Sequence, residues 1–139
     1  MAHDHNYYNA LIAVADDCPV SSSVVPPERA GKPTVATVQY GLLVDKPFVH
    51  KQEDVLFLTW FERQDLGEKS AEEVAGLRAE FFAKPKPCLR TSPLAKQYGW
   101  GFAFNAEGFL KLCPVESAEY RELLDDDGVK TIKAMKASR

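Results

Sequence analysis

The stretch Trp100-Gly101-Phe102-Ala103-Phe104-Asn105-Ala106-Glu107-Gly108-Phe109-Leu110-Lys111-Leu112-Cys113 alternates large and small residues, breaks at four turn-forming residues, and alternates again. A period of two sends successive side chains to opposite faces of a strand, and Asn-Ala-Glu-Gly supplies the chemistry of a tight reversal. The segment therefore predicts a β-hairpin at about 100–113. Trp100, Phe102 and Phe104 form one face, read as core, with base stacking by an RNA-type ligand as the other use of such a stripe. Gly101 and Ala103 leave the opposite face nearly featureless, open to close approach by a helix or a ligand.

Working outward, Ser92-Pro93 just upstream is a helix start. Serine accepts free first-turn amide hydrogens, and proline at the first helical position loses no hydrogen bond. A short helix to about Tyr98 is expected. Ser70 with Glu73 forms a capping box for a helix carrying Val74, Leu77 and Phe81, which Pro85 stops. Glu53 to Arg63 has acidic residues at its head and Arg63 at its tail, favouring helix over strand despite its Val, Phe and Trp content. Thr34 caps a helix to about Val44, with Val35, Val38, Leu42, Gln39 and Leu43 on neighbouring turns, Gly41 speaking against it and Lys46-Pro47 ending it. Pro19 to Pro33, with four prolines and three consecutive serines, reads as one long surface loop. Tyr8 to Ala15 alternates and reads as a further strand, with its alanine content leaving a helix open. Downstream, Ser117 caps a helix with Tyr120, Leu123 and Leu124. The Asp125-Asp126-Asp127-Gly128 run then separates it from a terminal helix ending near Lys136. The expected fold class is α+β, a single domain over 1–139. Its small antiparallel sheet is built on the hairpin, and helices pack on one side.

The 139 residues fit one ordinary domain, and apolar and charged shares of 45% and 27% are those of a chain that buries a core. A net charge of -3 argues against a surface built for nucleic acid or anionic lipid. The longest apolar run, Val55 to Phe61, falls far short of a membrane helix, and no signal peptide is visible. Cys18, Cys88 and Cys113 are odd in number and widely spaced, which suits free thiols in the cytoplasm better than disulfides or a zinc signature.

Val14-Ala15-Asp16-Asp17-Cys18-Pro19, Thr34-Val35-Ala36 with Gln39-Tyr40, Pro87-Cys88-Leu89-Arg90-Thr91-Ser92-Pro93-Leu94 and Lys96-Gln97-Tyr98-Gly99-Trp100-Gly101 form a distinctive set. Together with Asn105-Ala106-Glu107-Gly108, Glu119-Tyr120 and Lys133-Ala134-Met135-Lys136, they resemble a family of small uncharacterised bacterial proteins, a domain of unknown function. The likeness spans nearly the whole chain and is most specific from Cys88 to Gly101. It implies one bacterial domain and no particular chemistry.

The candidate site is the helix start near Arg90 to Ser92. Arg90 and Lys96 flank amide hydrogens of partial positive charge, Thr91 and Ser92 add hydroxyls, and Tyr98 and Trp100 follow. The set suits a small anionic ligand. The bland alternative is a plain serine cap, with Arg90 paired to Glu62, Glu107 or Glu116. An enzyme using Cys88 or His50 is a second reading, but one residue between Cys88 and Arg90 does not make a phosphatase loop. His50 is the only internal histidine. A third reading is a protein or nucleic-acid interaction module, using the proline-rich loop or a basic stripe of Lys130, Lys133, Lys136 and Arg139. The acidic run at 125–127 counsels against nucleic acid. His3, Asp4 and His5 read as part of a loose tail over residues 1–6 rather than a metal site, and no cofactor is implied.

Overall fold

The computed structural model describes residues 6–28, 33–64 and 66–137. Strand β1 (Ala10–Ala13) is followed by helix α1 (Val35–Leu43), strand β2 (His50–Lys51), and helices α2 (Gln52–Gln64) and α3 (Ala71–Phe82). A 3-10 turn (Leu89–Thr91) and the short helix α4 (Pro93–Lys96) lead into strands β3 (Trp100–Phe104) and β4 (Phe109–Pro114). Helix α5 (Ala118–Asp125) and strand β5 (Lys130–Lys133) end the fold. The α+β class follows directly.

The hairpin β3–β4 lies at the heart of a five-stranded sheet of order β2-β4-β3-β1-β5. Its turn uses Asn105, whose side chain accepts from the amides of Glu107 and Phe109, and Gly108, whose φ of 91° lies in the left-handed region that glycine tolerates. All four capping serines and threonines act as the sequence implies: Thr34, Ser70, Ser92 and Ser117 each accept a first-turn amide hydrogen. Glu53 to Arg63 lies within α2.

Three expectations need correction. The segment after Asp127 is not a terminal helix: Lys130 to Lys133 pair in parallel with Ala10 to Ala13. The sheet is accordingly mixed rather than antiparallel throughout. β-Branched Thr131 and Ile132 fit a pleated edge, and Ala134 N donates to Ala13 O to extend the pairing. The lysines consequently form no helical stripe, and Arg139 lies outside the described residues.

Nor are the helices confined to one side. One core joins Ala10, Ile12, Phe102, Phe104 and Leu110 to residues of α1, α2 and α4. The other joins Leu11, Ala13, Ala103 and Cys113 to Tyr120 of α5. Because β1 buries both faces, its four residues Ala-Leu-Ile-Ala are apolar throughout. The bare face at Gly101 is where α5 approaches: a β-carbon there would stand 2.9 Å from the Tyr120 ring. The Tyr120 hydroxyl accepts from Val14 N at 2.9 Å, locking α5 to the sheet.

Of the expected loose tail, residues 1–5 lie outside the described residues, while Asn6 Oδ1 accepts from Glu53 N at the head of α2. The proline-rich loop is irregular from Pro19 to Glu28 but tied down. Val24 N donates to Tyr98 O, Trp100 Nε1 donates to Val24 O, and Ser23 gives two hydrogen bonds to the Glu116 carboxylate. Residues 29–32 lie outside the described residues.

Candidate functional site

The turn from Cys88 to Ser92 is built from three anchors. Leu89 N donates to Gln52 Oε1 in a buried contact at 2.9 Å, Thr91 Oγ1 donates to Cys88 O, and Ser92 Oγ donates to Gln39 Oε1 while accepting from Leu94 N. Ser92 is 3% exposed, so it works as a buried structural cap. Arg90 points to the other side of the turn. Its Nε donates to Lys133 O and its own carbonyl accepts from Met135 N, so it staples the turn to the end of β5. Among the described residues it pairs with no acid, Glu62, Glu107 and Glu116 included.

The expected six residues therefore do not converge. Thr91 and Ser92 line a cleft between α1, α2, α3 and the Lys86–Pro93 segment. Tyr98 lines a separate hollow with Asp17, Pro19, Val20, Val24, Gln97 and Ala137. Trp100 is committed to Val24 and, edge to face, to Tyr40. Lys96 and Arg90 line neither.

The cleft encloses about 390 Å³. Its apolar wall is Val35, Leu56, Trp60, Phe81, Pro87, Leu89 and Pro93; Gln39, Thr59, Cys88, Thr91 and Ser92 add polar groups, and Arg63 and Lys86 add positive charge. Among the described residues no Asp or Glu lines it. The Lys86 ammonium sits 4.2 Å from the Phe81 ring centroid, and Arg63 Nε donates to Pro33 O at 3.4 Å. Neither cation has an acidic partner among the described residues. Gln39 is 4% exposed, and with Oε1 engaged by Ser92 its amide nitrogen has no hydrogen-bond partner among the described residues. That donor lies in the wall of the cleft.

Sequence reasoning found Thr91 and Ser92 because their cap is a local signal. It missed Arg63, Lys86, Trp60 and Phe81, which only the docking of α3 on α2 brings together. Gln39, a polar residue among apolar positions of one helix, was the available clue.

Among the described residues Cys88 hydrogen-bonds to no His, Asp or Glu side chain. Its sulfur accepts from the Tyr7 hydroxyl at 3.4 Å, and burial together with that bond pushes the Tyr7 phenol up to about 12. A phenol so held keeps its proton at neutral pH. His50 is in the edge strand β2, with its Nε2 buried and unpartnered among the described residues. Cys113 is buried, and burial raises its thiol above the usual range, as it raises Tyr120. Among the described residues no three His, Cys, Asp or Glu side chains are grouped to hold a metal, and no helix is long and apolar enough to cross a membrane.

The raised phenols have a consequence for stability. Tyr7 and Tyr120 lose their protons later in the folded chain than in the unfolded one. Their contribution is therefore complete below the unfolded value of about 10 and is lost as pH climbs from there toward the folded values. Urea midpoints should fall from about pH 10 upward, and the fall should be shallower in Tyr7→Phe. Equal slopes in parent and variant would show that Tyr7 ionises no later when folded.

Neither the curated proteins nor the solved structures contain a match to this chain. A family described as of unknown function, DUF6157, does match, over residues 2–139. The chain, an α+β domain with a cationic, aromatic cleft between its helices, belongs to that family.

Proposed function

We propose that this protein is a non-catalytic binding domain for a small anionic ligand, and that the ligand occupies the cleft between α1, α2 and α3 with its charge on Arg63 and Lys86. The observation that carries this reading is the charge of the lining: among the described residues it has two cations and no acid, and neither cation has an acidic partner. An apolar hollow with a few convergent polar groups is the usual form of a small-molecule site, and 390 Å³ lies toward the low end of the roughly 300–1,000 Å³ such sites enclose. Thr91 and Ser92 border the cleft, so part of the Arg90-Ser92 turn serves the ligand while Arg90 itself serves the fold. A binding role is favoured over catalysis because, among the described residues, the side-chain partner of Cys88 is the high-pKa Tyr7 phenol. Three free cysteines favour a reducing compartment such as the bacterial cytoplasm.

A thermal-shift screen against carboxylates, sugar phosphates and nucleotides should show one anionic class raising the melting temperature, because a ligand that binds only the folded state stabilises it. The Arg63→Ala/Lys86→Ala double variant should melt near the parent, since Arg63 is exposed and Lys86 partly so. It should weaken the ligand by roughly tenfold or more, the loss expected for charge-assisted contacts. Undiminished binding in the double variant, or no shift with any anion, would refute the reading.

A further inference from the structure

Resting on that reading, the geometry points to a ligand class: an aromatic carboxylate bearing a hydrogen-bond acceptor besides its charge. Trp60 and Phe81 are the large flat groups of the wall, their centroids 5.6 Å apart and their planes inclined at 42°. Two tilted rings present both a face and an edge, the geometry aromatic pairs prefer over a parallel sandwich. The cations belong to the same side. Arg63 follows Trp60 by three residues on α2, hence on the same helical face, and Lys86 lies over Phe81. A carboxylate on a ring seated there meets both cations without a long spacer.

The α1 side of the cleft makes a different demand. Gln39 offers amide hydrogens that have no partner among the described residues, from a side chain almost wholly buried. That amide nitrogen borders the open cleft, and a ligand carbonyl meeting it takes the place of water as acceptor. Two cations, one amide donor and two ring faces lining a single cleft describe a flat monoanion with an acceptor. A nucleoside triphosphate, with several charges and a sugar to satisfy, fits these groups poorly.

Calorimetric titration of the full chain with four probes tests this class. Para-acetylbenzoate carries ring, charge and acceptor; para-isopropylbenzoate has the same shape without the acceptor; para-acetylbenzamide lacks the charge; octanoate lacks the ring. Para-acetylbenzoate should bind tightest, by roughly three- to tenfold over para-isopropylbenzoate, the worth of one hydrogen bond. Gln39→Met should abolish that preference. Because Gln39 also accepts the Ser92 proton, the comparison of probes on the parent chain stands even if this variant folds poorly. Equal affinity for the acetyl and isopropyl acids, or no binding of either, overturns the inference. Tighter binding of octanoate overturns the aromatic class while leaving an anion cleft in place, whereas equal binding of the amide and the acid removes the anion reading itself.

Discussion

Gly101→Val is expected to destabilise the fold by about 3 kcal/mol, although valine is intrinsically the better strand residue by up to about 1 kcal/mol. The reason is the closeness of α5. A β-carbon at Gly101 stands 2.9 Å from Tyr120 Cε2 and 3.0 Å from the Ile12 carbonyl oxygen, and the second of these is backbone in the neighbouring strand. The Tyr120 ring cannot swing aside without leaving Val14 N, whose buried amide would lose its acceptor at a cost of about 1–3 kcal/mol. Overpacking in a well-filled core typically costs another 1–3 kcal/mol. Steric terms thus outweigh strand preference. Urea denaturation reads the loss, and a double-mutant cycle locates it. In a Tyr120→Ala background the ring is gone, so the same Gly101→Val change should cost about 1 kcal/mol less or better. Strict additivity of the two substitutions would place the strain elsewhere.

The fate of Gly101 also shows what kind of information the sequence carries. Alternation at 100–104 revealed a strand with a bare face, and four serine or threonine caps marked helix starts, because each of those signals is completed within a few residues. That the bare face receives α5 rather than a ligand depends on where a helix nearly twenty positions later comes to rest. The misread segment at 130–133 has the same cause. Three aspartates and a glycine resemble a helix stop followed by a new start, and lysines spaced three apart resemble a helical stripe. The deciding interaction is parallel pairing with Ala10 to Ala13, about 120 positions earlier in the chain and carrying no local mark. The same holds at the cleft. Thr91 and Ser92 were legible through their cap, but Arg63 and Lys86 are ordinary surface cations until α3 folds back on α2. Arg90 looked like an anion ligand because its real partner, a backbone carbonyl at Lys133, has no side-chain signature.

That docking of α3 sets the second large expected effect. Phe57→Ala should cost about 3–5 kcal/mol, the usual loss for a buried phenylalanine, and should release α3 from the rest of the fold. Phe57 is 1% exposed and makes ring contacts with Trp60, Phe61 and Phe81, while the Arg78 guanidinium lies over its ring at 5.6 Å. Helix α3 itself contains no buried residue, so its attachment rests on these rings and on the Arg78 contacts to Asp54 and Glu53. Those ion pairs are about one-third exposed on each side and contribute at most about 1 kcal/mol. The rings must therefore carry most of the attachment, and Asp54→Asn should shift stability by no more than about 1 kcal/mol. Hydrogen exchange on Phe57→Ala should show protection lost across Ala71–Phe82 while β1 and β3 remain the slowest to exchange, as befits a local opening rather than global collapse. Because Trp60 and Phe81 would lose their mutual alignment, affinity for para-acetylbenzoate should fall along with that protection. Retention of α3 protection in Phe57→Ala, or a loss below about 1 kcal/mol, would mean that the ion pairs hold the helix and that the ring cluster only decorates it.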